Sequence, residues 1–148
     1  MTNQVLLTVA GLQFLDGEEE VPVELVTTGS YYYRNNKHYI LYDEVVEGYS
    51  EHIQTTVKIA EDKLEIIKKG LSRIHMVFEK NSKSLSAYNT PFGDLSVGIL
   101  THQIEIQESE WDIHVRVNYS LDINEKYLAA CSIQLHVKSK EAKDFRLR

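Results

Sequence analysis

Between Trp111 and Ile123 the chain alternates without a break: Trp111, Ile113, Val115, Val117, Tyr119, Leu121 and Ile123 fall on one side, Asp112, His114, Arg116, Asn118, Ser120 and Asp122 on the other. A period of two carried this far excludes a helix and describes a strand with one buried face. The run that follows repeats the pattern, with Cys131, Ile133, Leu135 and Val137 opposed to Ser132, Gln134, His136 and Lys138. Two half-buried strands turning near Asn124 predict a hairpin. Shorter alternations at Val5, Leu7, Val9, at Ile53, Thr55, Val57, Ile59 and at Ile74, Met76, Phe78 extend the antiparallel pattern along the chain.

Turn-forming residues punctuate these runs at Asp16-Gly17, Asn35-Asn36, Gly48, Glu61-Asp62, Gly70, Asn81-Ser82, Pro91 to Gly93, Glu108 to Glu110 and Asn124-Glu125. Their spacing predicts about eight to ten strands. One segment carries a competing signal, because Leu64, Ile67, Leu71 and Ile74 follow a helical spacing and Glu65 with Lys69 would support it. Gly70 weakens a helix interior, and the alternation from Ile74 onward favours a hairpin turning there. A second irregularity is the switch of the apolar set from odd positions at Leu95, Val97 and Ile99 to even ones at Ile104 and Ile106, which a β-bulge near Thr101 would reconcile. So many one-faced strands, with no helix-rich segment to cover them, bury their apolar face most simply by closing the sheet on itself. The expected fold is therefore all-β, a single antiparallel meander barrel over residues 1–148, with a two-sheet sandwich as the alternative.

Composition narrows the partners. The 148 residues are 43% hydrophobic and 26% charged, an ordinary globular balance, and the net charge of −6 comes with no dense run of Lys and Arg to follow a phosphate backbone. Nucleic acid is not an expected partner. The single cysteine, Cys131, sits in an apolar alternating run and reads as a small buried hydrophobe. Met1 to Leu15 has no basic n-region or small-residue cleavage site, and no stretch approaches the length of a membrane-spanning helix, so a cytoplasmic location without a membrane partner is expected.

Three signatures occur in order: Tyr39-Ile40-Leu41-Tyr42-Asp43-Glu44, Thr55-Thr56-Val57-Lys58-Ile59 and Tyr88-Asn89-Thr90-Pro91-Phe92-Gly93. With Gly70, Arg73, Met76 and Phe78 between them and Thr101 and Tyr119 after, they resemble the YwiB-like family of small bacterial proteins across most of the chain. The resemblance implies a calycin-like β-barrel, the architecture of lipocalins, in a family whose biochemical role is uncharacterised. One departure is that the family's Arg-then-Gly order in the central hairpin stands here as Gly70 followed by Arg73.

No G-x-S-x-G, C-x-x-C, G-x-G-x-x-G or P-loop pattern is present, and Glu18 to Glu20 form a consecutive run without the geometry of a catalytic pair. Neither enzymatic activity nor a cofactor is expected. The leading expectation is a barrel that binds a small, largely apolar molecule in its interior or mouth, with Tyr42, Glu44, Met76, Tyr88, Phe92, Trp111 and Tyr119 as candidate contacts. Glu44 shares a face with Ile40, Tyr42 and Val46; pointing inward it would need a partner. Lys58 and Arg73 are tempting, yet alternation sets both outward. The rival expectation is an interaction or homodimerisation module using Tyr31, Tyr32 and Tyr33 with Lys58 and Arg73, because three consecutive tyrosines must point to both faces of a strand. A turn near Glu125 would set His114 opposite His136, but two imidazoles fall short of the three or four ligands usual for zinc, so no metal is expected.

Overall fold

A computed structural model describes residues 3–11, 24–45, 52–70, 73–90 and 93–140, and these form ten strands with no helix among them. The strands are β1 (Gln4–Ala10), β2 (Glu24–Arg34), β3 (Lys37–Val45), β4 (His52–Ile59), β5 (Lys63–Lys69), β6 (Ile74–Glu79), β7 (Lys83–Thr90), β8 (Gly93–Glu108), β9 (Asp112–Ile123) and β10 (Lys126–Ser139). Ten is the top of the expected range. They make one antiparallel sheet in the order β6-β5-β4-β3-β2-β1-β10-β9-β8-β7. Two meanders, β1 to β6 and β7 to β10, are joined where the first strand pairs with the last, Leu7 opposite Val137 and Val9 opposite Leu135.

The sheet curls into a nearly closed barrel whose edge strands β6 and β7 lie against each other. No ladder joins them among the described residues; Ser86 Oγ instead donates to the carbonyl of His75 at 2.7 Å.

Alternation decides what lines the interior. Val5, Leu7 and Val9 of β1, Ile40 and Tyr42 of β3, Val57 and Ile59 of β4, Leu64 and Ile66 of β5, and Met76 and Phe78 of β6 are buried, as are Ile113, Val115, Val117, Tyr119 and Leu121 of β9 and the expected inward set of β10, including Cys131, while Ile123 is partly buried. Phe78 meets Tyr119 edge to face, with ring centroids 4.9 Å apart, so large side chains pack together in the interior.

The turns follow from residues that tolerate left-handed backbone. Asn35 and Asn36 have φ of 54° and 63°, and Asn124 and Glu125 have 50° and 71°, which suits two-residue hairpin turns. The hairpin reading of residues 63–79 holds over the helical one: Leu64 pairs with Phe78, Ile66 with Met76 and Lys68 with Ile74. A bulge falls between Thr101 and Gln103, at the position where the apolar face changes parity, and leaves the buried Thr101 hydroxyl without a hydrogen-bond partner among the described residues. A second register shift, between Tyr127 and Ala129, has no counterpart in the alternation read from sequence.

Trp111 requires a correction. The alternation assigned it to the inner face, but β9 starts at Asp112, and Trp111 sits in the preceding turn, 41% exposed. Ser109 accepts the Trp111 and Asp112 amides at 3.3 and 3.2 Å and holds that turn outside the barrel. No helix among the described residues is long and apolar enough to cross a membrane.

Candidate functional site

The inward face of β3 runs His38, Ile40, Tyr42, Glu44, so Glu44 does point into the barrel at the end of its strand. Tyr42 lies opposite Thr55 on β4, and Thr55 opposite Lys68 on β5, which lays three polar side chains in a row across the sheet with Glu44 one step along. Glu44 Oε1 accepts from Thr55 Oγ1 at 3.0 Å and from Lys68 Nζ at 2.8 Å. The two charged side chains are only 25% and 19% exposed. Burial, reinforced by the Glu44 charge, raises the Tyr42 phenol to about 12 against the opposing pull of a hydrogen bond with Thr55. The counter-ion is thus Lys68, a residue absent from the sequence-derived candidates. Leu64, Ile66 and Lys68 share a face once the strand reading is adopted, a signal that the helical spacing of the same segment masks.

Met76, Tyr88 and Tyr119 also face inward, as expected of lining residues. Burial shifts the phenols of Tyr88 and Tyr119 well upward, with Cys131 and Tyr88 adding to the effect on Tyr119. Phe92 and Glu18 to Glu20 lie outside the described residues.

The tyrosine hairpin splits between faces. Tyr32 points outward and stacks on Tyr39 at 4.7 Å, and Lys58 lies over the Tyr39 ring at 5.7 Å, giving a ladder across β2, β3 and β4. Tyr32 and Tyr33 remain 43% and 57% exposed. Arg73 is exposed, and no described contact joins it to this ladder. At the end of β3 opposite Glu44, Tyr31 Oη and His38 Nδ1 are 2.7 Å apart, and His38 Nε2 is 3.3 Å from the Glu108 carboxylate. Burial, with the Glu108 charge, raises the Tyr31 phenol.

On the outer face, His114 and His136 are opposite each other in register, as the hairpin predicts. Their rings stack with centroids 3.9 Å apart and 12° between planes. Asp112, two residues before His114 on the same face, places Oδ2 3.7 Å from His114 Nε2 and 3.4 Å from His136 Nε2. The other oxygen, Oδ1, accepts from Ser109 Oγ at 2.6 Å. That bond, outweighing burial and aided by His136, holds the Asp112 carboxyl below its usual range, while burial and neighbouring His114 push His136 down. The pair borders an open groove of about 300 Å³ lined also by Thr8, Glu105, Gln107 and Arg116. His75 and His102 stand apart, the first 3.0 Å from Glu65 and the second 2.6 Å from Ser120 Oγ.

Fold and sites together define a small antiparallel β-barrel with an apolar lining, a polar cluster at one end and a histidine pair outside. The chain belongs to the family described as Domain of unknown function (DUF1934), whose profile matches residues 7–135. It is similar to the Uncharacterized beta-barrel protein YwiB of Bacillus subtilis (strain 168), with 27% identity over 115 residues that cover 75% of this chain and 76% of the relative. The crystal structure of the ywiB protein from Bacillus subtilis superposes with a TM-score of 0.78 at 20% identity, covering 93% of this chain and 92% of that one. At that identity the likeness carries the fold.

Proposed function

We propose that the protein is a non-enzymatic binding module that holds a small molecule of mixed polarity at the barrel end marked by Glu44 and Lys68. The observation that carries this is the inward ion pair itself. Two charges drawn largely out of water gain little for stability that apolar side chains of similar volume would not supply, so their retention on an otherwise apolar lining favours a binding role. Tyr42 and Thr55 complete a set of one carboxylate, one ammonium and two hydroxyls within a few ångströms. The crowded interior argues for the mouth over the deep cavity that a calycin-like barrel suggests, and for a ligand with a polar head and a short apolar body.

Mass spectrometry of organic extracts from gently purified protein tests this, together with the Glu44→Met/Lys68→Met double variant. A molecule that co-purifies with the wild type and is missing from a stably folded double variant is the expected result. Equal recovery from both, or no molecule from either, would sink the reading.

A second reading is favoured by the exposure of Tyr32, on an outer surface that already stacks aromatics, and of Tyr33, which lies on the other face of the strand against His38 at the barrel end. An interaction surface for another protein or a second copy would use them. Tyr32→Ser with Tyr33→Ser should then lower the mass measured by light scattering or abolish partner capture; no change in either removes this reading.

A further inference from the structure

We infer that Asp112, His114 and His136 form a binding site for a divalent transition-metal ion, with Zn2+ the best match to two imidazoles and a carboxylate. The inference is independent of the barrel-end reading, since these side chains are on the outer face. Cross-strand neighbours directly opposite each other bring their Cβ atoms close, and β9 and β10 set His114 and His136 in that relation. The sequence pattern stops at these two; the fold adds Asp112 as the third donor, and the three donor atoms lie within 4.8 Å of one another.

The distances leave room for a shared cation in place of the 3.4 Å hydrogen-bond contact between His136 Nε2 and Asp112 Oδ2. Separations of 3.4 and 3.7 Å are long for charge-assisted hydrogen bonds. Zinc bonds of about 2.0–2.1 Å place neighbouring donors on a tetrahedron about 3.3–3.5 Å apart. Ser109 engages Oδ1 and leaves Oδ2 toward both imidazoles, the kind of supporting hydrogen bond that orients a metal-binding carboxylate. The rings are nearly parallel, so each must turn about its Cβ–Cγ bond for its Nε2 lone pair to converge on a shared ion. With 54% and 33% of their side chains exposed, both have room to do so. Three protein donors leave a coordination position toward the open groove beside Thr8 and Gln107, the arrangement of an accessible site.

Tag-free full-length protein titrated with ZnCl2 in a non-chelating buffer tests the site by calorimetry, with cobalt(II) absorption as a spectroscopic probe. One equivalent should bind, with an intense visible cobalt band of tetrahedral character. His114→Ala, His136→Ala and Asp112→Asn should each weaken binding by about tenfold or more, and Ser109→Ala, a positioning change, by about tenfold. Zn2+ should also raise the Tm of the wild type and leave that of the His114→Ala/His136→Ala variant unchanged. Imidazole nitrogen shifts, followed by NMR in the wild type, provide a readout that needs no variant. No uptake at millimolar Zn2+, undisturbed nitrogens of His114 and His136, or equal affinity in the double variant would overturn the inference.

Discussion

Tyrosine is the residue on which this barrel leans at both its ends and in its middle, and its chemistry predicts an alkaline limit. Tyr31, Tyr42, Tyr88 and Tyr119 all have phenols raised above the ordinary value of 10.0, each chiefly by burial. As pH climbs past that value, the unfolded chain releases phenolic protons that the folded chain retains. The unfolded state then binds fewer protons, and folding stability falls with rising pH until the folded phenols also ionise. Denaturant midpoints should therefore drop between pH 10 and the Tyr42 value of about 12, while ultraviolet absorbance shows Tyr42 ionising late. A midpoint that stays flat across that window would mean these rings are solvated. Glu65 acts at the acid end in the opposite sense: burial pulls its carboxyl upward, but His75, Lys63 and Lys58 outweigh it and bring the value down. The stability it contributes is present above the ordinary carboxylate range and lost as pH falls through its lowered value.

At the level of elements, the hairpin of β5 and β6 depends on one backbone position. Gly70 has φ of 153°, and a Cβ built there would come 2.7 Å from the carbonyl oxygen of His52, which is backbone that cannot swing aside. Gly70→Ala should destabilise the protein by about 1–3 kcal/mol in chemical denaturation, with Gly93→Ala, whose Cβ meets nothing within 4 Å, as the milder comparison. The same hairpin explains what sequence could and could not disclose. Long alternation in β9 and β10 foretold their pairing, their buried faces and the meeting of His114 with His136, because a strand's two faces are written directly in its order of residues. The parity switch near Thr101 similarly announced its bulge. Lys68 stayed hidden, since a seven-residue strand bearing Leu64, Ile66 and Ile67 supports two periods at once. Asp112 and the Glu108 partner of His38 were hidden for another reason: which side chains share an oxygen depends on turn geometry and strand stagger. Trp111 misled because alternation continues one residue past the point where the chain has already entered a turn.

Taken whole, the described residues make a strip of ten strands and nine ladders whose two long edges touch along β6 and β7. In a barrel with ladders all the way round, every strand has two hydrogen-bonded neighbours and no line of opening is preferred. Among the described residues the place of a ladder is taken by side-chain packing, the Ser86 bond to His75 and the turn bond from the Ser82 amide to the Glu79 carbonyl. Hydrogen–deuterium exchange should accordingly find the seam-facing amides of β6 and β7 the first to exchange among the strands, and those of β1 and β10, paired on both sides, the last. Uniform protection across all ten strands would contradict this. The seam thus gives the native state a direction in which to breathe: tied at one end by the short turn between β6 and β7, it can splay open from the other, while the nine ladders among the described residues stay registered and guide it shut.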